Sequence, residues 1–410
     1  MFESEHRLRH LPFFEEIASR QEGTPEWRAA TAGIVVLRLV DAWLEDGAAV
    51  VSDDAWGLRS VANAIDEVDE GTPIRALLGR VVDGLRERKP DIHIVVTPLM
   101  AYAQALEYDA KWLLAADVYH SVLAHLHPLE DSDASIAAHL RLGSCYRNLH
   151  NVDDAAEAYA SASQIASAAG DIVGVLRARI GEGKIAILRG NLPRAEEIFD
   201  ETIARAVGGN LNDVRSRALH DRSNVAQLRG QYELAIRFAY DALCHTESPT
   251  ERDRILGDIA LAFTELGVYS AARDAYLVLS ATAQEQYIRW SATINLLMIA
   301  SQTGAEMHFE LYRRQLVDAS LPPYLATGYE LELGTGYQRF GNLSKARHHF
   351  GRATELAVEH GFNQFLFEAE EAILELETRR PPLRVQRDVP LDFEEVASAI
   401  RDMREAAGVR

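Results

Sequence analysis

Four stretches of the chain read alike: LRLGSCYRNLHNVDDAAEAYASAS from Leu140, RIGEGKIAILRGNLPRAEEIFDETI from Arg179, DRSNVAQLRGQYELAIRFAYDAL from Asp221 and ELGTGYQRFGNLSKARHHFGRAT from Glu332. Each has a helical apolar pattern, then a Gly or His with a turn residue, then a second helical pattern. The second pattern sets a small residue four positions before a ring or another small residue: Ala155/Tyr159, Ala195/Phe199, Ala235/Ala239 and Ala346/Phe350. Positions i and i+4 share a helix face, so the ring fills the space that the small residue leaves where two helices approach closely. Aligned on that position, the copies fall at Ala115, Ala155, Ala195, Ala235, Ala272, then Phe309 in a degenerate copy, then Ala346, with spacings of 40, 40, 40, 37, 37 and 37. One helix pair cannot bury its apolar face alone, so the pairs must stack. No period-2 strand pattern of useful length is present. The β-branched run Ile92-His93-Ile94-Val95-Val96 leads directly into a helical pattern. The expected class is all-α.

This pattern resembles the tetratricopeptide repeat (TPR). That family sets a large apolar residue, Leu-Gly and Tyr on its first helix, and Ala, an aromatic and Ala on its second. Residues 136–167 carry Leu142-Gly143, Tyr146, Ala155, Tyr159 and Ala162. Residues 327–358 carry Leu333-Gly334, Tyr337, Gly341, Ala346, Phe350 and Ala353. Weaker copies hold Gly183/Gly190/Ala195/Phe199, Gly230/Ala235/Ala242 and Phe263/Gly267/Ala272/Tyr276, and the poorest Leu99/Tyr102/Ala115/Tyr119 and Thr293/Ala300/Gly304. The resemblance implies a right-handed α-solenoid of about seven TPR-like helix pairs over residues 93–360. The period exceeds the family's ~34 residues, so either the helices are one turn longer or the loops are extended. Residues 1–92 form an N-terminal helical region without the repeat, read as four helices. The breaks fall at Gly23-Thr24-Pro25, Ser52-Asp53-Asp54, Gly71-Thr72-Pro73 and Lys89-Pro90, and Thr24 and Thr72 read as N-caps before Pro at N1. Residues 361–380 hold a capping helix, and 381–410 a linker and a short C-terminal helix from Asp392 to Ala407.

Composition narrows the function. With 62 acidic against 42 basic residues the net charge is −20, which disfavours binding to nucleic acid or to an anionic membrane by bulk charge. Cys145 and Cys244 are the only cysteines, so no disulfide framework is expected and a reducing, cytoplasmic location fits. The opening MFESEHRLRHLPFFEE is charged throughout and reads as no secretory signal, and no apolar run reaches the ~18 residues needed to span a bilayer. No catalytic constellation, metal site or cofactor motif is expected. Gly181-Glu182-Gly183-Lys184 lies inside a repeat helix rather than between strand and helix, where a phosphate loop belongs. His348-His349 and His360 lack a third ligand at i+3 or i+4. His120, His125 and His127 sit near a helix C-terminus, where histidine is favoured. Cys145 falls among packing positions.

The resemblance implies a ligand groove lined by the first helices of the pairs. Its positions map to Gln104, then Arg141, Arg147 and Asn148, then Arg177 and Lys184. Arg217, His220, Asn224 and Gln227 follow, then Arg254 with Asp258, then Asn295, then Gln338 and Arg339. Arginine pairs bidentately with carboxylates, and an amide side chain can both donate to and accept from an extended peptide. Arg141, Arg177, Lys184, Arg217 and Asn224 are expected on one concave strip. The family's chaperone-tail clamp is not matched, because Asp258 stands where its second Asn belongs. The array is also similar to the ligand-binding part of bacterial peptide-pheromone receptors. Many of those carry a DNA-binding N-terminal output module, whereas residues 1–92 hold 11 basic and 18 acidic residues and suit a partner-binding bundle better. The expected function is a non-enzymatic scaffold or sensor for a protein or peptide segment, acidic or ending in a carboxylate. The alternative is a regulatory receptor whose groove controls a partner held by the N-terminal helices. The sequence leaves the oligomeric state open.

Overall fold

The computed structural model describes residues 9–46, 56–86, 91–376 and 382–409, and within them every regular element is helical. The chain divides into two compact units, residues 1–202 and 203–410, with repeats on both sides of the division.

The first unit opens with α1 (Leu11–Ser19), α2 (Pro25–Asp46), α3 (Trp56–Asp66) and α4 (Pro73–Leu85). Pro25 and Pro73 take the first helical position as expected, and the Thr24 hydroxyl accepts from the Trp27 N–H at 3.3 Å. The expected breaks at residues 52–54 and 89–90 lie outside the described residues. Three helix pairs follow: α5 (Ile92–Tyr108) with α6 (Trp112–His125), α7 (Ser132–Asn148) with α8 (Val152–Ala169), and α9 (Ile172–Leu188) with α10 (Leu192–Gly208). α4 packs on α5, while α1 and α2 pack on α6, so the N-terminal helices share one core with the first pair. Phe13, Trp43, Tyr102 and Tyr119 are fully buried there.

A polar knot crosses this core. His10, at φ 59° just before α1, is 6% exposed. Its Nδ1 lies 2.6 Å from Asp117 Oδ2 on α6 and its Nε2 3.2 Å from Asp41 Oδ2 on α2. The second oxygen of Asp41 lies 3.4 Å from His125 Nε2 and Ser121 Oγ. Burial alone would lower the His10 pKa, but the hydrogen bonds to the Asp117 and Asp41 carboxylates outweigh it and raise it to about 9.

The second unit contains α11 (Asn212–Leu228) with α12 (Tyr232–His245), α13 (Pro249–Glu265) with α14 (Tyr269–Thr282), α15 (Gln286–Gln302) with α16 (Glu306–Leu316), and α17 (Pro323–Arg339) with α18 (Leu343–His360). α19 (Asn363–Glu375) covers α17 and α18. Residues 382–390 then run back along the stack as an extended strap. The Arg384 N–H donates to Gln302 O and the Arg387 N–H to Gly267 O, both at 2.9 Å. Leu383 rests on Gly304. A 3₁₀ turn, Leu391–Phe393, leads into α20 (Glu394–Ala406), which docks on α14. Phe393, Val396, Ala397 and Ile400 are buried, and the Phe393 ring meets Phe263 edge-on at 6.2 Å. Arg404 pairs with Asp274 at 2.9 Å and Arg237 with Asp392 at 2.7 Å.

The repeat register holds at each aligned position. Ala115, Ala155, Ala195, Ala235, Ala272, Phe309 and Ala346 are all 0% exposed. Tyr159 covers Gly143 of its own pair and Gly181 of the next: a Cβ on either would lie 2.7 or 2.3 Å from the ring. Phe199 covers Gly183, Phe350 covers Gly334 and Phe309 covers Gly336 in the same way. The long period is taken up in helix length, since α5, α7, α9, α11, α13, α15 and α17 each have 17 residues. The second helices vary: α6, α12 and α14 have 14 residues against 18 and 17 in α8 and α10, so where α6 keeps a spacing of 40 the connection from α6 to α7 makes up the length. Between the helices a left-handed residue ends the first one, glycine at Gly190 (φ 72°) and, without glycine, His150 (φ 57°).

Candidate functional site

The expected ligand residues stand on the first helices of both units. In the first unit, Arg141 lies half-exposed on α7, with Nη1 3.5 Å from Glu107 Oε2 on α5. Glu107 in turn accepts from the Tyr119 hydroxyl. Burial raises the Glu107 pKa, and burial also pushes the nearby Cys145 thiol up to about 12, so Cys145 is a packing group. Arg147 is half-buried, donating to Ser144 Oγ at 3.4 Å while its Nε has no partner. Asn148 ends α7 half-buried, its amide making no hydrogen bond among the described residues. On α9, Arg177 is exposed and Lys184 half-buried, and Arg179 between them pairs with Glu182 and Glu201.

The second unit brings more of the set together. Arg217, His220, Asn224 and Gln227 follow at helical spacing along one face of α11. His220 Nε2 lies 2.7 Å from Asp258 Oδ2 on α13, and Gln227 Nε2 donates to Asp258 O at 3.3 Å. Burial would lower the His220 pKa, but the hydrogen bond to Asp258 reverses the sign and raises it. The opposite ring nitrogen lies 3.9 Å from Glu251, which also pairs with Arg254 at 3.6 Å. Arg254 reaches on to Glu285 at 3.2 Å. Arg217 pairs with Asp213 one turn back at 3.2 Å. Asn224 sits half-buried in the middle of the stripe, its amide making no hydrogen bond among the described residues. Asn295 turns onto its own helix, donating to Ser291 O at 2.9 Å. Gln338 is buried, and Arg339 donates to Ser301 Oγ at 2.9 Å.

Each of Arg141, Arg217 and Arg254 therefore has an acidic neighbour, and within each unit the first helices carry mixed charge rather than a plain basic strip. The sequence marks the cations and, among their partners, Asp258, but not the pairing of His220 with it. Asp213 was visible four residues before Arg217. Glu107 and Glu285 lie roughly one repeat away from the arginines they hold, so only the stacked alignment exposes them. Arg177, Arg217 and Arg254 occupy the same repeat position, spaced 40 and 37 apart. Exposed pairs of this kind are worth ~0–1 kcal/mol, so their arginines can exchange an internal carboxylate for a ligand's at little cost. Among the described residues no group of three or more His, Cys, Asp and Glu could hold a metal ion, and no helix is long and apolar enough to cross a membrane.

No protein-family model matches the chain, and no curated protein matches it in sequence. Among solved structures it is similar to the Rap conjugation gene regulator of the plasmid pLS20 in complex with the Phr* peptide, with 11% identity, 85% of this chain and 96% of that one covered, and a TM-score of 0.46. It is also similar to NprR in complex with its cognate peptide NprX, with 13% identity, coverage of 87% and 88%, and a TM-score of 0.45. A third similarity is to a tetratricopeptide repeat protein from Parabacteroides merdae, with 13% identity, coverage of 83% and 99%, and a TM-score of 0.38.

Proposed function

We propose that this chain is a non-enzymatic scaffold or sensor that binds an extended peptide along the first-helix face of its second unit, residues 203–410. The observation that carries this reading is the α11 stripe. Asn224 holds an unused amide between His220 and Gln227, with Arg217 one turn before them. An amide that donates and accepts at once is suited to a peptide backbone, and Arg217 can leave Asp213 for an acidic side chain or a terminal carboxylate. Surrounding negative charge steers such a ligand away from the rest of the surface and towards the arginines. A second reading, a receptor whose ligand controls a partner of the N-terminal helices, is favoured by the shared core of α1, α2, α4, α5 and α6 and by the His10 knot that ties them.

The test is co-purification of the partner, followed by titration of wild type, the Arg217→Glu/Arg254→Glu double variant and Asn224→Ala across a salt series. The double variant loses binding while keeping its helical spectrum, and Asn224→Ala weakens it. Removing one member of a desolvated pair costs roughly 2–5 kcal/mol. Equal affinity and equal salt slope in all three proteins would refute the reading.

A further inference from the structure

A cleft of about 500 Å³ opens between the second helices α14 and α16, with Thr293 of α15 in its wall. Its walls include Arg273 and Leu277 from α14, His308, Leu311 and Tyr312 from α16, and Arg404 from α20. This size suits a small organic ligand. The charges in it are one-sided, since no Asp or Glu lines it although the chain carries 62 of them. Arg404 spends one nitrogen on Asp274, which is 7% exposed behind it, and its Nε is buried without a partner. Arg273, next in sequence to Asp274, is exposed and has no ion pair among the described residues. Tyr312 is 6% exposed, and its ring stacks with His308 at 6.4 Å and 29°, giving the cleft a flat wall beside the two guanidiniums.

Two arginines, no facing carboxylate and an aromatic wall together match one ligand chemistry. We propose that this cleft binds a small organic oxyanion, a carboxylate or phosphate carried on a ring or other apolar body. Arg273 and Arg404 hold the charged end in charge-assisted hydrogen bonds, and Tyr312 and Leu277 take the body. Because Arg404 stands on the C-terminal helix, a bound anion also holds α20 against α14 and stabilises the second unit.

Calorimetric titration of the full chain with phenyl phosphate, benzoate, inorganic phosphate and phenol tests this, with melting curves in parallel. At least one aryl anion binds saturably below about 10 mM and raises the melting temperature. The better of the two identifies phosphate or carboxylate as the natural group. Inorganic phosphate and phenol each bind at least about tenfold more weakly, because each lacks half of the chemistry. Arg273→Ala lowers affinity at least about tenfold, and Ala281→Trp, which fills the cleft from its exposed rim, abolishes binding. Both variants melt like the wild type without ligand, since neither side chain is in the core. No saturable binding of either aryl anion would overturn the proposal. So would undiminished binding in both variants, or phenol binding as tightly as the anions.

Discussion

Replacing His10 by Asn probes the knot between α1, α2 and α6. Asn tolerates the left-handed backbone at this position, so the change removes the imidazolium without adding strain from φ 59°. The rise from the ordinary histidine value of 6.5 to about 9 corresponds to roughly 3 kcal/mol of stabilisation. That agrees with the ~3–5 kcal/mol lost when one partner of a buried ion pair is removed, here leaving Asp41 and Asp117 at 13% and 16% exposure. The folded value lies above the unfolded one. The stabilisation is therefore complete below pH 6.5, and it is lost as pH rises through about 9. In urea unfolding followed by circular dichroism, His10→Asn falls below wild type by about 3 kcal/mol at pH 6, and the two curves converge near pH 10. Hydrogen exchange of the α1 amides accelerates in the variant at pH 6. A difference of equal size at pH 6 and pH 10, or none at either, would refute the ion-pair account.

The groove and cleft titrations above are two further tests, and two more address packing. Gly181→Leu drives a side chain into the Tyr159 ring and costs ~1–3 kcal/mol or more, read as a lower melting temperature; an unchanged value would break the proposed contact between successive pairs. Phe393→Ala empties a site that is 1% exposed, costs ~3–5 kcal/mol and releases α20, read as faster hydrogen exchange over residues 394–406; unchanged protection would show that α20 does not depend on this anchor.

The stack was legible because its information is local and repeated. A small residue four positions before a ring says where two helices touch, and every such Ala is buried in the structure. Helix starts at Pro25 and Pro73 were legible for the same reason: the Thr-Pro signal lies within two residues. The strap was not. Its main anchors are backbone N–H groups of Arg384 and Arg387 on the carbonyls of Gln302 and Gly267, a bond type that any non-proline residue offers. The segment after Pro381 therefore read as a linker, and nothing in the pattern of α20 named α14 as its seat. The proposed ligand face lies between these cases. Its cations follow from repeat position, but their acids come from neighbouring repeats, and the pairing of His220 with Asp258 emerges only when α11 and α13 lie side by side. The His10 knot left no trace, since its partners lie 31 and 107 positions away.

A row of helix pairs that touch only their neighbours comes apart from its ends, one pair at a time. The strap removes that route at the C-terminal end of the second unit. The chain passes α19, returns past the turns at Gly304 and Gly267, and is fastened by Asp392 to Arg237 and by Arg404 to Asp274. The pairs from α13 to α18 thus lie inside a closed circuit, and α17 with α18 cannot peel away while α20 stays seated. The fastening contacts join residues 155 and 130 positions apart, so closing them costs more loop entropy than forming any one pair, and they are expected to form after the pairs they enclose. The expected consequence is that these pairs melt together rather than fraying as separate hairpins, and that unzipping waits on release of the thirteen-residue helix α20.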